Sequence, residues 1–207
     1  TGTGTAVVPG AGELIITTVA GGGAGNNPPV TESQMFYGGF FAGNHYVLSG
    51  NRIYKGTPET GWTVVAGTGE WGFSGDGGPA TSAKIAALTG GSIFVDGYGN
   101  IFIVDTNNNR IRKVAVGTGI ISTVAGNGTT GAVIDNIAAT SSTLNFPRGA
   151  AVDAAGNLYI ADTNHHRVRR VDAVTGFITT IAGTGISGYN GDNITATTAQ
   201  LAGPAAV

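Results

Sequence analysis

Short apolar runs recur along this chain, and each one stops at Gly, Asn or Asp. The clearest series predicts strands near Ile93–Asp96, Ile101–Val104, Arg110–Val114 and Ile120–Ala125. A second follows near Ala150–Asp153, Leu158–Ala161, Arg167–Val171 and Phe177–Ala182. The runs are rich in β-branched residues and too short for helices. The residues between them, such as Tyr98-Gly99-Asn100 and Ala155-Gly156-Asn157, are those of tight turns. Alternation within the third run sets Ile111 and Lys113 opposite Arg110, Arg112 and Val114.

The two series are copies. Val95-Asp96-Gly97-Tyr98-Gly99-Asn100-Ile101-Phe102-Ile103-Val104-Asp105-Thr106 returns 57 residues later as Val152–Thr163, and a Thr-Val-Ala-Gly-like phrase ends at Gly21, Gly67, Gly126 and Gly183. A fixed period of this size marks a repeat architecture. Four antiparallel strands per repeat make the blade of an all-β propeller. About three blades are complete, with terminal strands besides. The units run approximately over 1–21 (partial), 22–67, 68–126, 127–183 and 184–207 (partial), forming a single propeller region over 1–207.

The run from Gly156 to Val171, Gly-Asn-Leu-Tyr-Ile-Ala-Asp-Thr-Asn-His-His-Arg-Val-Arg-Arg-Val, and the Thr-Gly-Phe-Ile-Thr-Thr-Ile-Ala-Gly that follows resemble the NHL repeat. Gly75-Asp76-Gly77-Gly78-Pro79-Ala80-Thr81-Ser82-Ala83 resembles the long inter-blade loop of its bacterial and teneurin-like branch. The resemblance implies mostly six-bladed propellers that bind or sense outside the cell, with a minority of enzymes such as an amidating lyase. The unit around 43–55 departs from the pattern, being shorter and lacking the Asp-Thr pair.

Composition narrows the function. Charged residues make up only 11 % of the chain, Gly numbers 37, Cys is absent and the net charge is −2. Disulfides and thiolate metal sites are excluded. No basic stripe for nucleic acid and no membrane span is apparent. Zero Cys and few Lys suit an extracellular or cell-surface protein of bacterial type.

The repeat also sorts candidate residues, because a side chain present in every copy is explained by the fold. This assigns Arg52, Arg110 and Arg167, Asp96 and Asp153, and Asp105 and Asp162 to architecture. The in-register loop residues Asn26, Asp76, Asp135 and Asp192, with Thr31, Thr81, Thr140 and Thr197, are expected to hold their loops by bonding nearby backbone N–H groups. His165 and His166 stand where Asn108 and Asn109 stand one unit earlier. His45 replaces an aliphatic residue.

The exceptions to the repeat are the candidates for binding: Trp71, Phe73 and Tyr189, loop aromatics beside glycines. No catalytic set, metal site or cofactor is expected. Propeller ends are apolar and sticky, so Leu14, Ile16, Val19, Leu201, Ala205 and Val207 are the candidate assembly residues, to be covered by further copies or further chain. The expected function is a non-enzymatic scaffold or recognition module for protein or glycan, within an oligomer, filament or other surface assembly. The alternative is a metal-dependent propeller lyase or hydrolase with a central-channel site that includes His45.

Overall fold

The computed structural model describes residues 36–57, 59–87 and 93–207. The expected strands at 5–8 and 14–20, and with them Leu14, Ile16 and Val19, lie outside these residues.

Three antiparallel meanders follow one another. Blade 1 is β1 (Phe36–Phe41), β2 (Asn44–Ser49), β3 (Arg52–Thr57) and β4 (Gly61–Ala66). Blade 2 is β5 (Ile93–Val95), β6 (Ile101–Asp105), β7 (Arg110–Val114) and β8 (Ile121–Ala125). A short strand, β9 (Ile137–Ala138), precedes blade 3, which is β10 (Gly149–Val152), β11 (Leu158–Asp162), β12 (Arg167–Val171) and β13 (Phe177–Ala182). β9 pairs with the outer edge of β13, so the loop leaving blade 2 becomes a fifth strand of blade 3. The loop leaving blade 1 does the same for blade 2, through the Pro79–Ile120 bridge and the Gly77 N–H on the Ile121 carbonyl. Blades 2 and 3 are therefore each closed on the outer edge by the loop of the preceding blade.

The hydrophobic cores lie between blades. One joins Leu48, Ile53 and Ala66 of blade 1, and Ala80 and Ile85 of its loop, to Ile101, Ile103 and Ile121 of blade 2. The next joins Val104, Ile111, Ala125, Ala139 and Leu144 to Leu158, Ile160 and Ile178. A twisted sheet buries both faces only when sandwiched, so a repeat of this kind gains its core from its neighbours.

The Thr-Val-Ala-Gly phrase is a bulge followed by a left-handed glycine. Ile111 pairs with Ala125 while Arg112 pairs with Thr123, leaving Val124 extra; Val65 and Ile181 stand out in the same way in the other blades. Gly126 then takes φ +87°, and a Cβ placed on it would lie 2.2 Å from the Asn109 carbonyl oxygen. Gly128 has φ +90° and its Cβ would collide with the Arg110 guanidinium. Arg110 donates there to the carbonyls of Asn108 and Asn127, at 3.0 and 2.7 Å. Arg167 holds His165 and Thr184 identically, and Arg52 holds Thr68. These arginines are architectural, as the repeat implies.

A second arginine of the same strand is the deeper feature. Arg112 and Arg169 are both fully buried (0 % exposed). Arg112 donates through Nε and Nη2 to Asp76 Oδ1 at 3.1 and 2.7 Å, and to the carbonyls of Lys84 and Ser74. Its Nη1 lies 3.6 Å from the buried Asp105 carboxylate. Thr123 donates to the other oxygen of Asp76 at 2.6 Å. Arg169 repeats the arrangement with Asp135 at 2.9 Å and Asp162 at 3.5 Å, and the Thr180 N–H and hydroxyl both bond Asp135. Burial pushes the Asp105 carboxyl above the usual carboxylate value, against the pull of Asn108, the Ala86 amide and Arg112.

This corrects the expectation for the loop aspartates. Their partners are an arginine and a threonine of the following blade, because a buried guanidinium outcompetes local amides for a carboxylate. Among the described residues, the Thr81, Thr140 and Thr197 hydroxyls bond nothing.

The histidines fill the roles of asparagines. Asn108 donates from one amide nitrogen to Asp105 and to the Gly72 carbonyl, whereas His165 reaches Asp162 at 2.8 Å with Nδ1 and the Gly131 carbonyl at 3.1 Å with Nε2. Asn109 and His166 are both left-handed, with φ 51° and 53°. Asn109 Oδ1 accepts the Phe146 N–H, and His166 Nδ1 accepts that of Gly203.

Four changes test these assignments by urea denaturation. Gly126→Ala is expected to cost at least about 2 kcal/mol, from the left-handed backbone and the carbonyl clash. Arg112→Met should cost about 3–5 kcal/mol, the usual penalty for orphaning a buried carboxylate. Arg169→Met should cost less, since Arg169 Nε and Nη1 have no hydrogen-bond partner. His166→Asn should be neutral within about 0.5 kcal/mol, while His166→Ala loses the bond and the left-handed preference, about 2 kcal/mol together.

Candidate functional site

In a four-stranded meander the turns alternate ends. The β5–β6 and β10–β11 turns therefore lie at one end of the blades, and the loops that leave β4 and β8 start at the other. The expected binding aromatics sit in those loops. Phe73 packs 3.8 Å over the Arg110 guanidinium and 4.9 Å from that of Arg112, so it clamps its loop onto blade 2. Trp71, two residues earlier, is 57 % exposed. Tyr189 is 73 % exposed, and its hydroxyl donates to Asp192 Oδ2 at 2.9 Å; that bond raises the phenol above its ordinary range. Trp71 and Phe73 share one loop, whereas Tyr189 belongs to the loop two units on.

His45 lies on β2 against the Phe40 ring, with centroids 5.0 Å apart. Among the described residues, no three His, Asp or Glu side chains are grouped to hold a cation.

The concave feature lies at the opposite end from Trp71. A cleft of about 550 Å³ opens between blades 2 and 3, lined by Asp96, Tyr98, Phe102, Lys113, Val152 and Asp153. Its floor is the Phe102 ring, stacked on Phe94 at 4.8 Å and 5°. The Lys113 ammonium lies 5.5 Å over Phe102. The matching cation of blade 3, Arg170, is tied to Asn157 and Asp172. Blade 2 has Ala115 where blade 3 has Asp172. Lys113 accordingly has no ion-pair or hydrogen-bond partner among the described residues.

Two carboxylates line the same cleft. Asp96 caps its turn by accepting the N–H groups of Tyr98 and Asn100 on Oδ1 and the Asn100 amide on Oδ2. Asp153 does the same for Ala155 and Asn157, and also accepts the Tyr159 hydroxyl. The Asn157 side chain leads the groups that hold the Asp153 carboxyl below the usual range. These bonds orient both carboxylates; Asp96 keeps a lone-pair site on Oδ2, whereas the four bonds to Asp153 fill its acceptor sites. Tyr98 is largely exposed at the rim. The cleft thus pairs an aromatic face and an unpaired donor with one fixed acceptor, Asp96 Oδ2. The signal in the sequence was the set of exceptions at Tyr98, Lys113 and Ala115, inside turns otherwise constant between copies.

Residues 144–171, from Leu144 through β12, match the NHL repeat family. The chain is 33 % identical over 82 residues to human NHL repeat-containing protein 2, a stretch covering 39 % of this chain and 11 % of that protein. A structural genomics protein of unknown function from Bacteroides thetaiotaomicron superposes with a TM-score of 0.59 at 20 % identity, over 79 % of this chain and 38 % of its own. An auxiliary nutrient binding protein from the same organism superposes with a TM-score of 0.53 at 18 % identity, over 79 % of this chain and 39 % of its own. The chain spans well under half the length of these proteins, and at such identities the two solved structures speak for the fold alone. The period, the four-stranded sheets and the matched residues agree: residues 144–171 match an NHL repeat, and the described residues have the blade fold of a β-propeller.

Proposed function

We propose that this chain is a recognition module of a surface or extracellular protein, and that it takes a glycan in the cleft between blades 2 and 3. Residues 1–207 act in this reading as one propeller region. The unpaired Lys113 ammonium over Phe102, in a cleft also lined by Asp96 and Asp153, is the observation that carries it. Saccharides present both C–H faces and hydroxyls. The exposed Tyr98 ring offers a surface for the first, and Lys113 and Asp96 bond the second. The structural roles of the other buried charges also favour binding: Arg112, Arg169, Asp105 and Asp162 are all engaged in holding blades together. The auxiliary nutrient binding protein shares the fold, and the weight of the reading rests on the cleft.

Trp71 supports a second contact, with a protein. It is an exposed tryptophan on a loop that Phe73 clamps, and rigid aromatics of this kind anchor interfaces.

Calorimetric titration with a panel of neutral oligosaccharides tests the cleft. A ligand from the panel should bind, and Lys113→Met and Tyr98→Ala should each weaken it about tenfold, equivalent to about 1.4 kcal/mol. Trp71→Ala, at the far end of the blades, should leave the affinity unchanged. No binding across the panel, or binding indifferent to Lys113→Met, would refute the site.

A further inference from the structure

The loop leaving blade 3 has the same fold as the two before it. Gly183 donates to the Ala196 carbonyl at 2.9 Å and Thr184 to that of Ala199, as Gly67 and Gly126 donate to Ala80 and Ala139. What differs is what covers it. Ile85 and Leu144 are fully buried, whereas Leu201 in the same register is half-buried. Ala80 and Ala139 are 1 % and 2 % exposed, whereas Ala196 is exposed. Ile111 and Ala125 are buried, whereas Val168 and Ala182 are only half so. The N–H groups of Gly77 and Asn136 bond the next blade's outer strand, and those of Ala80 and Ala139 bond the Gly119 and Gly176 carbonyls in the turn before it. Those of Asn193 and Ala196 have no partner among the described residues. Asp192, the counterpart of Asp76 and Asp135, is exposed and meets only the Tyr189 hydroxyl.

The missing partner has a definite chemistry. In both filled interfaces the receiving blade supplies a buried arginine and a threonine to the loop carboxylate: Arg112 with Thr123, and Arg169 with Thr180. Blade 1 supplies neither. Strand pairing places Tyr54 where the others have arginine and Val64 where they have threonine. Ser49 replaces Asp105, and Asn26 stands for the loop aspartate in the sequence. All four positions are exchanged together in the sequence, so blade 1 presents a neutral set where blades 2 and 3 present an ionic one.

We propose that the surface formed by β12, β13 and residues 184–201 is a socket for a further NHL-type blade that carries an arginine at the position of Arg112, and that it rejects the neutral Tyr54 face of a second copy. Seating that neutral face would cover Asp192 with apolar side chains and no cation, a costly burial. Tyr189 stands where Phe73 stands and is placed to stack on the incoming arginines as Phe73 does.

The repeat itself provides the probe. Val207 is in register with Ala150, so appending residues 151–183 after Val207 extends the full chain by one arginine-bearing blade. A second extension carries Tyr and Val at its counterparts of Arg169 and Thr180. Hydrogen exchange at the Asn193 and Ala196 amides reads the docking, with Asn136 and Ala139 as internal controls for the folded host. The arginine-bearing extension should slow exchange at Asn193 and Ala196 about a hundredfold. Asp192→Asn, or the Tyr/Val extension, should lose about tenfold of that protection. Equal protection by both extensions, or none by either while Asn136 and Ala139 stay protected, overturns the proposal. So does concentration-dependent protection of Asn193 and Ala196 in the unextended chain, which would make a second copy the occupant.

Discussion

A guanidinium with no solvent exposure must be met by anions and carbonyls, and that requirement organises this molecule. Arg112 is at once in contact with Asp76 of the preceding loop, the carbonyls of Ser74 and Lys84 in the same loop, and Asp105 of the adjacent strand. It therefore fixes the path of the inter-blade loop. That path puts Ala80 and Ile85 into the core and Gly77 onto the outer edge of β8. Outer-edge pairing, core composition and blade spacing all follow from where this charge is held.

Stability and specificity divide between two kinds of contact. Each fully buried Ile or Leu of the inter-blade cores contributes about 1.5–3 kcal/mol, and several line each interface. A buried ion pair adds little net stability, since desolvation offsets most of its attraction, but a lone buried charge is heavily penalised. The cores bind any blade of suitable shape; the arginine and aspartate decide which blade. The joint exchange of Asp, Arg, Thr and Asp for Asn26, Tyr54, Val64 and Ser49 agrees with this division, because replacing any one of the four alone would orphan the others.

Much of this was legible in the residues. Strand positions followed from β-branched runs between turn residues, and the observed strands of blades 2 and 3 match the expected ones within a residue or so. The demotion of Arg110, Arg167, Asp96 and Asp153 to architecture followed from their recurrence. The roles of Asp76 and Asp135 were not legible, since their partners lie 36 and 34 residues away across a blade boundary. Arg112 read as one more polar residue of an alternating strand, and only three-dimensional packing shows that both faces of β7 are covered. The bulge at Val124 was hidden for a related reason: it shows only in how β8 pairs with β7. The seat of Phe73 on Arg110 was hidden too, because that contact crosses the blade boundary. The cleft was missed because its distinctive feature is a missing partner, Ala115 in place of an aspartate.

A double-mutant cycle on Asp76 and Arg112 is the most direct test that the cross-blade ion pair specifies the interface. Asp76→Asn, Arg112→Met and the double variant would be compared by urea denaturation. A specifying pair predicts a coupling of about 2–3 kcal/mol, with the double variant far more stable than the sum of the single losses implies. Losses that add within about 0.5 kcal/mol would contradict it.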